Sequence, residues 1–307
     1  MANATSTDIA RKSDWRRLPE VGTVLGIRFV VALSELFGRA LATAFLWFLA
    51  LYYAVASSRA RGASKAWLGR IGEPTTFGRV VRHLHSFARV SLDRLFFLRG
   101  RLEPFVVRTN GEHYLADLAE RRVGAVLLGA HLGSFEAMRA QGRFEQLRLA
   151  VVVDTRSAER LGRVLRELDP RANIDVIGVD PDGVATALRV REAIRRGDLV
   201  GILADRRAAD DARNVTVDFL GAPAAFPVGP FLLAHTLKCP VFQVFGLFSA
   251  PNVYELHCEP FAETVTLERH GREASLKKYV QTYADRLAHY ARKAPYNWFN
   301  LYDFWRE

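Results

Sequence analysis

Residues 123–136 read VGAVLLGAHLGSFE, and this stretch decides the predicted fold. Its apolar run ends at Gly129 and a polar turn follows, which is typical of a buried strand that reaches the edge of a sheet. Apolar runs and helical patterns then alternate, with strands predicted at 149–153, 174–179 and 200–204 and helices at 134–147, 157–168 and 184–196. This alternation predicts an α/β fold with a mostly parallel central sheet flanked by helices.

The segments before and after this region also contain both predicted helices and predicted strands. We predict helices at 74–98, 111–121, 230–237 and 275–292, a strand at 215–220, and a hairpin of strands 241–248 and 253–258. The C-terminal tail is aromatic, which favours packing against the body of the protein. We therefore predict one domain over residues 71–307, preceded by an N-terminal arm over residues 1–70.

The charge is distributed unevenly. The 307 residues carry a formal net charge of +10, and residues 1–110 contain 17 basic and 7 acidic side chains, so this part holds the whole excess. Such a block attracts either nucleic acid or an anionic membrane. The same part is rich in Leu, Phe, Ala and Val, which favours a bilayer and excludes nucleic acid as the expected partner.

The arm contains a long apolar segment at Val21–Ala56. Its last part, Ala40–Ala56, has no charged residue and as a helix would be roughly 25 Å long, at the lower limit for a membrane span. Basic residues lie on both sides of it, which favours a helix or helical hairpin embedded from the cytoplasmic side over a simple crossing. The alternative is a buried helix of a soluble core.

The two cysteines, Cys239 and Cys258, form no CxxC pair and cannot cross-link a fold of this size. This pattern excludes a cysteine zinc site and a disulfide framework, and it indicates a reducing compartment. Signatures of Rossmann dinucleotide sites, P-loops, zincins and serine hydrolases are also missing from the sequence. We expect neither a metal site nor a bound cofactor.

The turn after the first core strand carries the predicted chemistry. Gly129-x-His131-x-Gly133 lies between strand and helix, where other proteins present a nucleophile, but here the residue is a histidine. A histidine in this place suggests a general base that acts on a hydroxyl of the substrate. Glu136 can converge on His131 across the turn and fix the imidazole tautomer.

The motif GAHLGSFE at 129–136 resembles the HxxxxE/D motif of the bacterial lipid A biosynthesis acyltransferases, within the lysophospholipid acyltransferase superfamily. Residues 202–234 are similar to the family's second block, which has an Asp after a strand, nearby arginines and a Pro-x-Gly-Pro step. The tail PYNWFNLYDFW at 295–305 is similar to the Trp-containing end of one branch of predicted acyltransferases. The resemblance implies a glycerol-3-phosphate acyltransferase-like fold.

The resemblance also implies roles for individual residues. His131 would be the catalytic base and Glu136 its orienting partner. Residues expected to bind substrate or shape the cleft are Gly133, Ser134, Arg156, Asp205, Arg206, Arg213, Phe219, Gly221, Pro227 and Gly229. Two departures argue against lipid A as acceptor. The run Asp154-Thr155-Arg156-Ser157 replaces the Arg-Pro and Asn of many members, and Val228 replaces a Thr.

The predicted function is O-acyl transfer from an acyl carrier protein or coenzyme A thioester to a hydroxyl of a lipid or glycolipid. Arg206 follows a strand directly and is predicted to bind the donor's phosphate. An arginine, or backbone N–H groups near Gly133, would hold the oxyanion. The expected location is the cytoplasmic face of a bacterial inner membrane. The alternatives are an acyl thioesterase that uses the same histidine to activate water, and a non-catalytic membrane-binding protein.

Overall fold

A computed structural model of the protein describes residues 24–137, 148–154, 174–180, 183–207 and 213–305. The helices within these ranges are α1 (Val24–Ala56), α2 (Ser58–Ile71), α3 (Phe77–Leu98), α4 (Glu112–Glu120), α5 (Val184–Arg195), α6 (Gly229–Leu237) and α7 (Arg272–Lys293). Most of the helix predicted at 134–147 and all of the helix predicted at 157–168 lie outside the described residues.

The strands form one large sheet and one hairpin. They are β1 (Val106–Asn110), β2 (Ala125–Gly129), β3 (Leu149–Asp154), β4 (Ile174–Val179), β5 (Leu199–Leu203), β6 (Asn214–Asp218), β7 (Pro223–Pro227), β8 (Val241–Ser249) and β9 (Val253–Ala262). The seven-stranded sheet has the order β1-β9-β8-β2-β5-β3-β4, and β6 pairs with β7 separately. Neighbours in the large sheet are parallel except β8 and β9. The predicted α/β fold with a mostly parallel sheet is confirmed.

Strand β2 lies at the centre of this sheet. All five of its residues are buried, as expected for a strand covered on both faces. It pairs in parallel with β5 on one side and with β8 on the other. The hydroxyl of Tyr283, on α7, donates to the carbonyl of Gly129 at the end of β2, 2.7 Å away. The end of β2 is therefore held in place from the helical layer as well as from within the sheet.

Two strands were not predicted. Strand β1 lies at the edge of the sheet, and its residues alternate between exposed and half-buried, so no apolar run marks it. Strand β7 is bounded by Pro223 and Pro227, which read as strand breakers in sequence. It follows β6 through Leu220 and Gly221, with φ values of 56° and 76°. Both central residues at positive φ make a tight hairpin turn, here without its usual Asn-Gly signal.

Helix α1 packs one side against the protein and leaves the other exposed. It is kinked at Gly38, where φ is 84° and ψ is 163°. Beyond the kink, a stripe of residues four apart is buried, namely Ala42, Leu46, Ala50 and Ala54. Gly38–Ala56 is long and apolar enough to cross a membrane, and 28% of its most apolar stretch is buried. One side of this segment is exposed, and its embedding in a membrane stays a prediction.

Helices α1 and α2 are joined to the body by specific contacts. Arg39 makes two hydrogen bonds, of 2.8 and 2.6 Å, to the fully buried carboxylate of Asp93 on α3, and the Tyr254 hydroxyl donates to the same carboxylate at 2.9 Å. On α2, the indole of Trp67 stacks on Trp298 of the tail with 4.8 Å between ring centroids. The predicted division of the chain at residue 70 stays a prediction.

Candidate active site

His131 and Asp205 meet where two neighbouring strands end. In the parallel pairing of β2 with β5, Gly129 lies opposite Leu203. His131 and Asp205 each lie two residues beyond this pair, on the same edge of the sheet. Parallel strands keep their register, so the sheet itself brings the two side chains together. This edge, at the carboxyl ends of the strands, is where α/β sheets place their ligands.

Asp205 binds His131 through both carboxylate oxygens. Oδ1 lies 2.9 Å from the ring Nδ1, and Oδ2 accepts the backbone N–H of His131 at 3.0 Å. Asp205 is fully buried, whereas the side chain of His131 keeps 20% of its surface exposed. A carboxylate on Nδ1 requires that nitrogen to carry the proton, which leaves the lone pair on Nε2. The ring is thus in the tautomer that a general base needs.

The electrostatic surroundings keep His131 neutral. Burial, followed by the positive charge of Arg206, lowers the pKa of His131, and Arg94 acts in the same direction against the opposing pull of Asp205. Burial alone would raise the pKa of Asp205, but the attraction and hydrogen bonds of His131 and the charge of Arg206 hold it below its ordinary value. A neutral imidazole beside an ionised carboxylate is ready to accept a proton at neutral pH.

In the described contacts Glu136 pairs with residues other than His131, which differs from the predicted pairing. Its carboxylate accepts the Ser134 hydroxyl at 2.9 Å and lies 3.1 Å from Nε of Arg94. The turn at Gly133 directs Glu136 towards α3. Asp205 follows the adjacent strand β5 and lies next to Nδ1 of His131. A catalytic role for Glu136 stays a prediction, and its observed partners are a serine and an arginine.

The turn at Gly133 is fixed by the sheet and the tail. Gly133 has φ of 69°, and a Cβ there would lie 2.0 Å from the carbonyl oxygen of Gly246. The N–H groups of Gly133 and Ser134 donate to the carbonyls of Asn297 and Gly246, both at 2.8 Å. Both N–H groups therefore already have partners within the protein. Gly133 and Ser134 shape the site rather than offering free donors.

The aromatic tail, residues 295–305, makes hydrogen bonds directly to the site, which was not predicted from the sequence. The backbone N–H of Phe299 donates to the carbonyl of His131 at 2.8 Å. The side chain of Asn300 donates to Oδ2 of Asp205 at 2.7 Å and accepts from Nε of Arg206 at 2.8 Å. The two asparagines in NWFN, Asn297 and Asn300, were the available signal, since buried amides in an aromatic tail require polar partners.

The other predicted site residues fall into four groups. Arg206 lies at the site, where its Nε donates to Asn300 and its charge lowers the pKa of His131. Phe219 is 1% exposed and packs among aromatic rings that include Trp298 and Trp305, while Pro227 is buried at the end of β7. Exposed positions are Arg213 before β6, Gly221 in the hairpin turn and Gly229 at the start of α6. Arg156 lies outside the described residues.

The fold and site define a class of protein: an α/β protein with a histidine–aspartate pair at the carboxyl edge of a mostly parallel sheet. The sequence profile described as bacterial lipid A biosynthesis acyltransferase matches residues 74–307, about three quarters of the chain. The chain belongs to this family, and it is an acyltransferase. Among curated proteins, none matches the chain significantly.

Proposed function

We propose that the protein transfers a fatty acyl group from an acyl thioester to a hydroxyl of a lipid or glycolipid, with His131 as the general base. The observation that carries the proposal is the 2.9 Å contact between Nδ1 of His131 and the buried carboxylate of Asp205. It leaves Nε2 to accept the proton of the acceptor hydroxyl. The donor is a thioester of acyl carrier protein or coenzyme A.

In the proposed reaction the acyl group moves from sulfur to oxygen, and the hydroxyl proton moves to the departing thiol. The acceptor oxygen attacks the thioester carbonyl as its proton passes to Nε2 of His131, and a tetrahedral oxyanion forms. When the C–S bond breaks, the thiolate leaves and takes the proton from His131. The product is an ester and a free thiol. Asp205 stabilises the transient imidazolium, and the charge of Arg94, which acts on His131, favours the oxyanion.

The proposed acceptor is a membrane lipid other than lipid A. The two departures from the family pattern, at Asp154–Ser157 and Val228, support this part of the proposal. The proposed location is the cytoplasmic face of a bacterial inner membrane, with α1 as the attachment. Large apolar side chains on the outer side of α1 support it, since Phe48 is 71% exposed and Val55 is 65% exposed.

The experiment is a product analysis. Purified full-length protein is incubated with labelled acyl carrier protein thioester or acyl-coenzyme A and bacterial lipid extract, and lipids are separated from free fatty acid. Label in an ester-linked lipid supports the proposal, provided that His131→Ala abolishes it. Label only in free fatty acid would indicate a thioesterase. Label in neither fraction, with properly folded protein, would contradict a catalytic role with these donors.

A further inference from the structure

Asn300 lies between two oppositely charged groups of the site. Its Nδ2 donates to Oδ2 of Asp205 at 2.7 Å, and its Oδ1 accepts from Nε of Arg206 at 2.8 Å. The side chain is 2% exposed. We propose that Asn300 is a positioning residue that holds the carboxylate of Asp205 on His131 and, at the same time, the guanidinium of Arg206 in the site. This inference rests on the proposed role of His131 as the base.

An amide side chain suits this position. It offers a donor and an acceptor on one rigid group, which a carboxylate, a hydrocarbon or a cation cannot do. An apolar side chain would leave the buried carboxylate of Asp205 short of one donor. A carboxylate would still accept from Arg206 but would place a second negative charge against Asp205. The contact with Asp205 can therefore be removed while the contact with Arg206 is kept.

The backbone around Asn300 gives it a fixed frame. The N–H of Phe299 donates to the carbonyl of His131, and the carbonyl of Asn297 accepts the N–H of Gly133, both at 2.8 Å. Leu132 forms a β-bridge with Trp298. The tail thus contacts each of three successive residues of the turn, 131–133. Its backbone positions His131, and the side chain of Asn300 positions the carboxylate of Asp205.

Other charged and titratable groups surround this unit. Arg94 on α3 acts on His131, and Tyr283 on α7 and Tyr302 in the tail interact with Asp205. Asp154 at the end of β3 interacts with Arg206. These side chains remain unchanged in the variants below. A new pH dependence in an Asn300 variant would therefore come from the introduced group and its effect on Asp205.

The test compares Asn300→Leu and Asn300→Asp by steady-state kinetics over a donor titration. Asn300→Leu loses both contacts, so we expect kcat to fall about tenfold or more and the donor KM to rise. Asn300→Asp keeps an acceptor for Arg206, so its donor KM should return towards the wild-type value while kcat at neutral pH stays low. Its kcat should rise as the pH is lowered from about 8 to 6, because the protonated carboxyl can donate to Asp205.

The controls separate positioning from folding. Trp305→Phe alters the same tail through the indole N–H, which donates to the carbonyl of Phe219 at 3.3 Å, and it should leave both kinetic constants unchanged. Wild-type kinetics in Asn300→Leu would overturn the inference. An equal loss of kcat in both Asn300 variants at every pH, together with a lowered melting temperature, would also overturn it. If His131→Ala is fully active, the proposed function itself fails, whatever the Asn300 variants do.

Discussion

Asp205 accepts two hydrogen bonds from one residue, the ring Nδ1–H and the backbone N–H of His131. The carboxylate therefore fixes both the rotation of the imidazole and the course of the chain that carries it. This double contact is the closest approach of any carboxylate to His131 among the described residues, and it makes Asp205 the group that orients the imidazole.

The first prediction concerns Asp205→Asn. The change keeps the size but loses the charge that stabilises the imidazolium, and the amide can hold the wrong tautomer. We expect kcat/KM for acyl transfer to fall by about 10²–10⁴-fold. Circular dichroism should show an unchanged fold. Activity within twofold of wild type would contradict the assignment of Asp205.

The second prediction concerns Glu136→Gln, measured beside Asp205→Asn. Glu136 touches Ser134 and Arg94, not the ring, and both members of the Arg94 ion pair are about 30% exposed. Its loss should release Arg94 and reduce kcat/KM less than Asp205→Asn does. If Glu136→Gln is the more damaging of the two, the HxxxxE pairing expected from sequence describes the working enzyme better than this geometry.

The third prediction concerns Arg206→Ala. A guanidinium at the carboxyl edge of the sheet can hold the phosphate of either donor. We expect the donor KM to rise roughly tenfold, equivalent to about 1.4 kcal/mol, while kcat at saturating donor falls less. A fall in kcat at unchanged KM would instead assign Arg206 to the oxyanion.

The fourth prediction concerns stability and His83. This residue is fully buried, with Nδ1 2.9 Å from the Ser64 hydroxyl and Nε2 2.6 Å from the carbonyl of Trp298, and burial lowers its pKa to about 4. The unfolded chain takes up this proton near its ordinary pKa, so the free energy of unfolding should be highest above that value. It should fall by up to about 3 kcal/mol as the pH drops towards 4.

The measurement for His83 is denaturant unfolding at pH about 7 and about 4.5. His83→Gln removes the titrating group and should lose less stability over this interval than wild type does. His85 is the matched comparison on the same helix, since burial also lowers its pKa to about 4. Identical pH dependence in wild type and His83→Gln would show that His83 does not contribute.

The fifth prediction concerns the outer side of α1. Phe48 and Val55 are 71% and 65% exposed, and each apolar side chain of this size contributes about 1.5–3 kcal/mol when buried. The double variant Phe48→Ser/Val55→Ser should bind anionic vesicles more weakly, whereas Val184→Ser, at a 59% exposed position on α5, should not. Washing with 1 M salt should not strip the wild type, because apolar burial dominates. Quantitative release by salt would indicate a purely electrostatic attachment.

Features of the fold that depend on local sequence patterns were predicted correctly. The buried strand before His131, the strand that precedes Asp205 and the hairpin of β8 and β9 all follow from apolar runs bounded by turn residues. The register of β2 and β5 does not follow from either strand alone, so the contact of His131 with Asp205 was missed and Glu136, closer in sequence, was chosen instead. Asn300 was missed for the same reason, since it is 95 residues from Asp205.

Single-turnover transfer of a labelled acyl group by His131→Ala decides whether His131 is the base for acyl transfer. The substrates are a saturating acyl thioester and the acceptor lipid identified with wild type, and the melting temperature is measured on the same sample. We predict a folded protein whose rate of ester formation is lower by about 10²–10⁴-fold. A folded His131→Ala protein that forms the ester at a near-normal rate would contradict the mechanism.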